Sequence, residues 1–183
     1  IGDDAFKGCT SLNEGFEIPN GVTSIGSSAF EGCTSLTSIT IPEGVTTIER
    51  SVFNGCTALE TVVLHDNITS IGLLAFMNSG VKNITLPANL EEIGARAFEG
   101  CTKLETITIP EKVTLIGKHA FYLCSSLKEA YFKDETSVWD IPKFDLDPTT
   151  SREFTPRNDE PGYNAMYLTA EFVYALDWEK QTD

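Results

Sequence analysis

The stretch SLTSITIPEGVTTIERSVFNGCTAL, residues 35–59, decides the fold because the chain repeats it several times. A phenylalanine recurs at intervals of 24, 23, 23, 22 and 23 residues. The six phenylalanines are Phe6, Phe30, Phe53, Phe76, Phe98 and Phe121. An isoleucine precedes each one by five residues, and a cysteine follows by three in every copy except one, where Ser79 stands. Columns with this period indicate a repeat array in which coils stack on one another.

One repeat contains a short strand, a turn and a buried segment. The apolar positions of residues 36–41 follow the spacing L-x-x-I-x-I, and the β-branched content is typical of a strand. Pro42 ends the strand because it has no backbone N–H. Residues 45–48 predict a second extended piece, and residues 51–56 predict a single helical or 3₁₀ turn. One repeat buries too little apolar surface to offset the entropy of its ordering, so the stack is the folding unit.

The composition disfavours several classes of partner. The formal net charge of −14 disfavours nucleic acid and anionic membranes, since both need clustered Lys and Arg. No apolar run approaches the roughly 18–20 residues that span a bilayer, so no membrane insertion is expected. The chain opens at Ile1 in the middle of a repeat, and we therefore expect the array to be incomplete at its N-terminus.

The five cysteines occupy one column of the repeat. Equivalent residues of stacked coils lie about 4.8 Å apart with parallel side chains, which does not give the dihedral angle of a disulfide. There is no CxxC pair, and the two histidines stand in other columns. We therefore expect a ladder of buried, reduced thiols, with no metal and no cofactor.

The sequence LTSITIPEGVTTIERSVFNGC resembles the BspA-type, or Treponema-type, leucine-rich repeat, whose pattern is L-x-x-L-x-L-P followed by I-G-x-x-A-F-x-x-C. IGSSAFEGCTSL, IGARAFEGCTKL and IGDDAFKGCTSL match it closely. The resemblance implies a right-handed leucine-rich repeat solenoid with a parallel β-sheet on the concave face. Short strands and 3₁₀ or helical turns are implied on the convex side. It also implies a surface-exposed or secreted bacterial protein.

Two repeats depart from the regular length. Residues 12–19 carry one extra residue at Gly15, which we expect to form a strand bulge. Residues 76–81 lack one residue and the cysteine.

The columns stop after Val138, which predicts two regions. Residues 1–138 form a solenoid of about six repeats of 22–24 residues, and residues 139–183 form an acidic C-terminal capping region with four prolines. Residues 164–183 fit either a strand or a helix starting at Asn164, and the strand is preferred. The aromatic residues Phe172, Tyr174 and Trp178 are expected to cover the last coil.

No catalytic constellation emerges from the sequence. Glycine-rich phosphate loops and the common hydrolase motifs are missing, and His65 and His119 lie on different coils, where exposure is expected. An acidic column follows the strands, at Glu43, Asp66, Glu111 and Asp134. It is either a rim that holds Ca²⁺ or a set of solvated turn residues, and the second reading is favoured.

The outward positions of the strands are the candidate binding surface. The predicted contact residues are Glu17, Thr40, Val63, Thr85, Thr108, Tyr131, Lys82 and Lys128. Val63 and Tyr131 are the least explicable as a solvated face. In the first outward column Glu60, Lys82, Glu105 and Lys128 alternate in sign, which predicts ion pairs between adjacent coils.

The sequence thus predicts a monomeric, non-catalytic ligand-binding or adhesion module of a bacterial surface or secreted protein. Its ligand would be a protein or a glycan, including one derived from a host. The alternative is a structural spacer that projects another domain. The fold itself does not choose between them.

Overall fold

The computed structural model describes residues 1–13, 15–134, 139–142, 151–169 and 178–180. The strands are β1 (Ser38–Thr40), β2 (Thr47–Ile48), β3 (Thr61–Val63), β4 (Ser70–Ile71), β5 (Glu92–Ile93), β6 (Thr106–Ile109), β7 (Leu115–Ile116), β8 (Glu129–Phe132), β9 (Trp139–Pro142), β10 (Ser151–Phe154) and β11 (Trp178–Lys180). Within these residues one helix, α1, spans Pro161–Thr169. Short parallel strands stack coil on coil, which confirms the leucine-rich repeat solenoid.

The coils are joined by two ladders. On the concave face β1 pairs in parallel with β3, and β6 pairs in parallel with β8. The second extended piece of each repeat forms the parallel ladder β2–β4–β5–β7. The isoleucine column lies in register along this second ladder and is buried, at Ile48, Ile71, Ile93 and Ile116. Each coil therefore obtains its hydrogen bonds from its neighbours.

The segment before each cysteine, predicted as one helical or 3₁₀ turn, is a run of tight turns whose backbone hydrogen bonds alternate. The N–H of Glu31 donates locally to the carbonyl of Ser28 at 3.0 Å, whereas the N–H of Phe30 donates to Val52 of the next coil at 3.0 Å. A positive φ recurs two residues before each phenylalanine, at Asp4, Ser28, Ser51, Leu74, Arg96 and His119. Local bonds of the 3₁₀ type are thus kept, but a helix cannot continue through these residues.

The six phenylalanines form one stack through the core. Neighbouring ring centroids are 5.2–5.6 Å apart, and neighbouring rings are tilted by at most 12°. The rings from Phe30 to Phe121 have no exposed area. This stack and the isoleucine column make a single core that runs through the described coils.

The extra residue of the first coil does not form a strand bulge. Gly15 lies in a turn with φ of 92°, and no strand is formed over residues 15–20. The ring of Phe16 instead turns inward and packs edge-on against Phe6 and Phe30, with centroids 5.4 and 5.6 Å away. An aromatic ring therefore stands in this coil where the next coil has Ile39.

The chain after the repeats pairs with the last coil at two places. Strand β11 runs antiparallel to β7, so it covers the end of the second ladder. On the concave ladder the side chain of Asn158 accepts from the N–H of Phe132 at 2.9 Å and donates to its carbonyl at 2.7 Å. Nδ2 of Asn164 donates to the carbonyl of Ala130 at 2.9 Å. Both groups of contacts satisfy strand edges that would otherwise stay open.

The preferred strand is wrong over residues 164–169, which belong to a helix. Helix α1 begins at Pro161, before the Asn164 start of the helical alternative, and β11 begins at Trp178. Phe172 and Tyr174, which were expected to cover the last coil, lie outside the described residues. The boundary at Val138 between solenoid and capping region stays a prediction.

Candidate functional site

The predicted contact residues share the outward side of the concave face. Buried and exposed side chains alternate along β1, β3 and β6, so the outward positions face solvent. Val63 is 50% exposed, although it is apolar. Tyr131 is half-buried, and its hydroxyl donates to Glu129 at 3.2 Å. The remaining predicted contact residues are exposed: Glu17, Thr40, Thr85, Thr108, Lys82 and Lys128. Their role in binding stays a prediction.

The predicted ion pairs between adjacent coils are wrong. The column in question is Glu60, Lys82, Glu105 and Lys128, and within residues 15–134 its members form no ion pairs with one another. Glu60 instead accepts from Nζ of Lys103 at 2.8 Å, and this hydrogen bond lowers the pKa of the Glu60 carboxyl. Lys103 thus reaches across the intervening coil to make this bond.

The concave sheet is interrupted twice. Among the described residues, no strand pairing joins residues 15–20 to β1 or residues 83–86 to β6. A groove of about 520 Å³ lies at the first break and one of about 240 Å³ at the second. Each break involves a repeat of irregular length, one with the extra Gly15 and one shortened near Ser79. Sequence reasoning missed both grooves, although the irregular spacing was the available signal.

The acidic turn column is engaged in hydrogen bonds. The carboxylate of Glu43 accepts from Nδ2 of Asn67 at 3.0 Å, and that of Asp66 accepts a backbone N–H of the next coil at 2.8 Å. Asp134 lies 2.7 Å from Nζ of Lys180. In the described part of the chain, no group of three His, Cys, Asp or Glu side chains is placed to hold a metal ion. These contacts favour the turn interpretation over a Ca²⁺ rim.

Both histidines are half-buried, and the expected exposure is wrong. His65 stands where most repeats have proline, and Nε2 lies 2.8 Å from the carbonyl of Pro42. Because a carbonyl only accepts, Nε2 carries the proton, and Nδ1 accepts from the N–H of Asn67 at 3.3 Å. His65 therefore joins two turns of the solenoid.

The pKa of His119 is lowered by burial, and the charges of Lys118 and Arg96 lower it further.

The cysteine column is a ladder of hydrogen bonds. Each buried thiol donates to the carbonyl of the phenylalanine in the preceding coil at 3.0–3.1 Å. The donors are Cys33, Cys56, Cys101 and Cys124. Burial raises the pKa of Cys56 to about 12 and that of Cys101 to about 11. Thiols that stay protonated are poor nucleophiles, so the column is structural.

Thiol titration tests this ladder. We expect one rapidly reacting thiol per native chain, because Cys9 is exposed and the other four cysteines are buried. Denaturation without reductant should release five. Labelling with an aromatic disulfide reagent, followed by peptide mass mapping, identifies the fast thiol. One or three thiols after denaturation would mean that stacked cysteines form disulfides.

The repeat columns and the stacked coils now identify the family. A family model described as the BspA type leucine-rich repeat region matches residues 1–128 in six copies. The chain belongs to this family. No curated protein matches it in sequence. In the described part of this family member, no helix is long and apolar enough to cross a bilayer.

Three solved structures of bacterial proteins are similar to the BspA-type chain. A leucine-rich repeat protein from Bacteroides ovatus is 36% identical to this chain with a TM-score of 0.62. The match covers 71% of this chain and 34% of the Bacteroides ovatus protein. The T. pallidum leucine-rich repeat protein is 32% identical with a TM-score of 0.57, and the match covers 60% of this chain and 51% of that protein. The pneumococcal vaccine antigen PcpA is 27% identical with a TM-score of 0.53, and the match covers 64% of this chain and 38% of PcpA. The chain thus spans about a third to a half of the length of these proteins.

Proposed function

We propose that this chain is a non-catalytic ligand-binding or adhesion module of a bacterial surface or secreted protein. Its concave face would bind a protein or glycan ligand. The observation that carries the proposal is Val63, half exposed among polar outward side chains on a row of short parallel strands. An exposed apolar side chain does not stabilise the fold, but it does contribute to an interface from which water is excluded.

The contacts of the reactive side chains support a non-enzymatic role. The buried thiols donate to backbone carbonyls and have raised pKa values. His65 bridges two turns through both ring nitrogens. These groups are committed to the solenoid, and the extended concave surface of stacked coils is one that repeat proteins use for binding.

A location outside the cell is supported by the similar proteins. One of them is described as a pneumococcal vaccine antigen. The net charge of −14 further favours a soluble chain that avoids nucleic acid and anionic surfaces.

We propose that this protein acts as a monomer.

Paired substitutions on the concave face test the proposal. Val63→Glu together with Tyr131→Ala should weaken every interaction found on an array of glycans and matrix proteins by about tenfold or more, because both side chains face the ligand. Leu73→Glu is the matched control, since Leu73 is 39% exposed but lies in the turn segment away from the concave strands. Surface plasmon resonance on the array hits measures both variants.

The spacer alternative makes the opposite prediction. A chain that only projects another domain would keep all of its interactions in the Val63→Glu, Tyr131→Ala variant. Unchanged binding in this variant, with weakened binding in Leu73→Glu, would move the binding surface to the turns.

A further inference from the structure

Strand β1 has one paired and one unpaired edge. Ile41 donates to Val63 at 3.0 Å, and Thr37 accepts from Thr61 at 3.3 Å, both across to β3. In a parallel strand, alternate residues point their N–H and C=O groups to opposite neighbours. Ser38 and Thr40 therefore point these groups toward the first coil. Within the described residues, neither makes a backbone hydrogen bond to that coil.

The irregular first coil is the reason for this open edge. Residues 15–20, which follow the extra residue of this coil, do not pair with β1 as a strand. The space left between them is the groove of about 520 Å³. Its walls are the edge of β1 on one side and residues 15–20 on the other. An unpaired strand edge thus lies in an open groove of the concave face.

The groove carries negative charge. Glu17 and Glu43 line it, and no Lys or Arg does. Glu17 is exposed, and so is the Glu43 side chain, although its carboxylate also accepts from Nδ2 of Asn67 in the next coil at 3.0 Å. The smaller groove beside β6 is lined by Asn, Ile and Thr residues and has no carboxylate. The two open edges therefore differ in electrostatics.

We propose that the groove beside β1 binds an extended peptide segment with basic side chains, which adds to β1 as a strand. This proposal rests on the concave face as the binding surface and specifies where and what it binds. The N–H and C=O groups of Ser38 and Thr40 would pair with the backbone of the segment. Glu17 would pair with its Lys or Arg side chains, and Glu43 adds negative charge to the groove. A glycan matches this edge less well, since its hydroxyls do not repeat the spacing of a strand backbone.

The probe is a capped octapeptide of alternating lysine and valine, followed by fluorescence anisotropy. Two further peptides carry N-methyl groups on all valines or on all lysines, which removes the donors of one peptide edge at a time. We expect the unmodified peptide to bind and at least one methylated form to bind about tenfold more weakly, because hydrogen bonds to β1 are lost. An analogue with glutamate in place of lysine should not bind.

Thr40→Pro removes an edge N–H without touching the bonds to β3, and edge strands tolerate proline at such positions. It should abolish peptide binding while the circular dichroism spectrum stays native. Thr106→Pro is the control, since Thr106 lies in β6, lines the uncharged groove and is not among the predicted contact residues. We expect it to leave binding unchanged.

Equal binding of all three lysine peptides, or native-like Thr40→Pro that still binds, would overturn the proposal. Binding of array glycans without any binding of the peptide would overturn it too. If Thr40→Pro does not fold, the methylated peptides still decide. Only the strand-addition proposal fails if the concave-face variants weaken binding to the array of glycans and matrix proteins but the octapeptide does not bind. Both proposals fail if no concave variant alters any interaction.

Discussion

Phe76→Ala is expected to lower the free energy of unfolding by about 3–5 kcal/mol, because a large cavity opens in the middle of the core. The ring of Phe76 has no exposed area and stacks on Phe53 and Phe98 at 5.4 and 5.2 Å. For a chain of this size the change corresponds to a fall of about 6–20 °C in melting temperature. Urea and thermal unfolding followed by circular dichroism measure both quantities.

Phe16→Ala is the control for position in the stack. Phe16 is half-buried and contacts the stack edge-on at its N-terminal end, so its loss should cost less than half as much. Coils of a solenoid are stabilised by both neighbours, and a defect in the middle affects more coils than one at the end. Equal losses for the two variants would mean that the stack does not couple the coils.

Truncation after Val138 is expected to destabilise the protein by roughly 2–5 kcal/mol and to promote aggregation. It removes the bonds of Asn158 and Asn164 to β8 and the pairing of β11 with β7. Each hydrogen bond contributes about 0.5–1.5 kcal/mol, and open strand edges associate with other chains. The upstream coils should still fold. Thermal melting and light scattering after size exclusion measure the two effects and test the proposed boundary.

A single substitution separates edge coverage from chain length. Asn164→Ala keeps the tail but removes bonds to Ala130 and to the backbone of Arg157 from a fully buried side chain. We expect it to cost about 1–3 kcal/mol. Glu160→Ala, an exposed change beside α1, should cost less than about 0.5 kcal/mol.

For the truncation after Val138, a protein that stays monomeric with unchanged stability would show that the tail is a passive linker.

The hydrogen-bond pattern between irregular coils could not be predicted from the repeat. The extra residue at Gly15 suggested a bulge, but residues 15–20 form no strand beside β1. In the same way, Glu60 pairs with Lys103 and not with a charged residue of its own column. Residue propensities and the repeat pattern do not specify such contacts between coils.

The sequence by itself determined the solenoid, the inward columns and the outward face that carries Val63 and Tyr131. Side-chain spacing within one coil fixes these features, and a fixed period copies them from coil to coil. Only the tertiary structure decided that His65 is half-buried, which strand edges pair, and how Asn158 and Asn164 close the last coil. Those outcomes depend on which groups of different coils and of the tail meet in the folded stack, and the spacing of residues within one coil does not specify such long-range contacts.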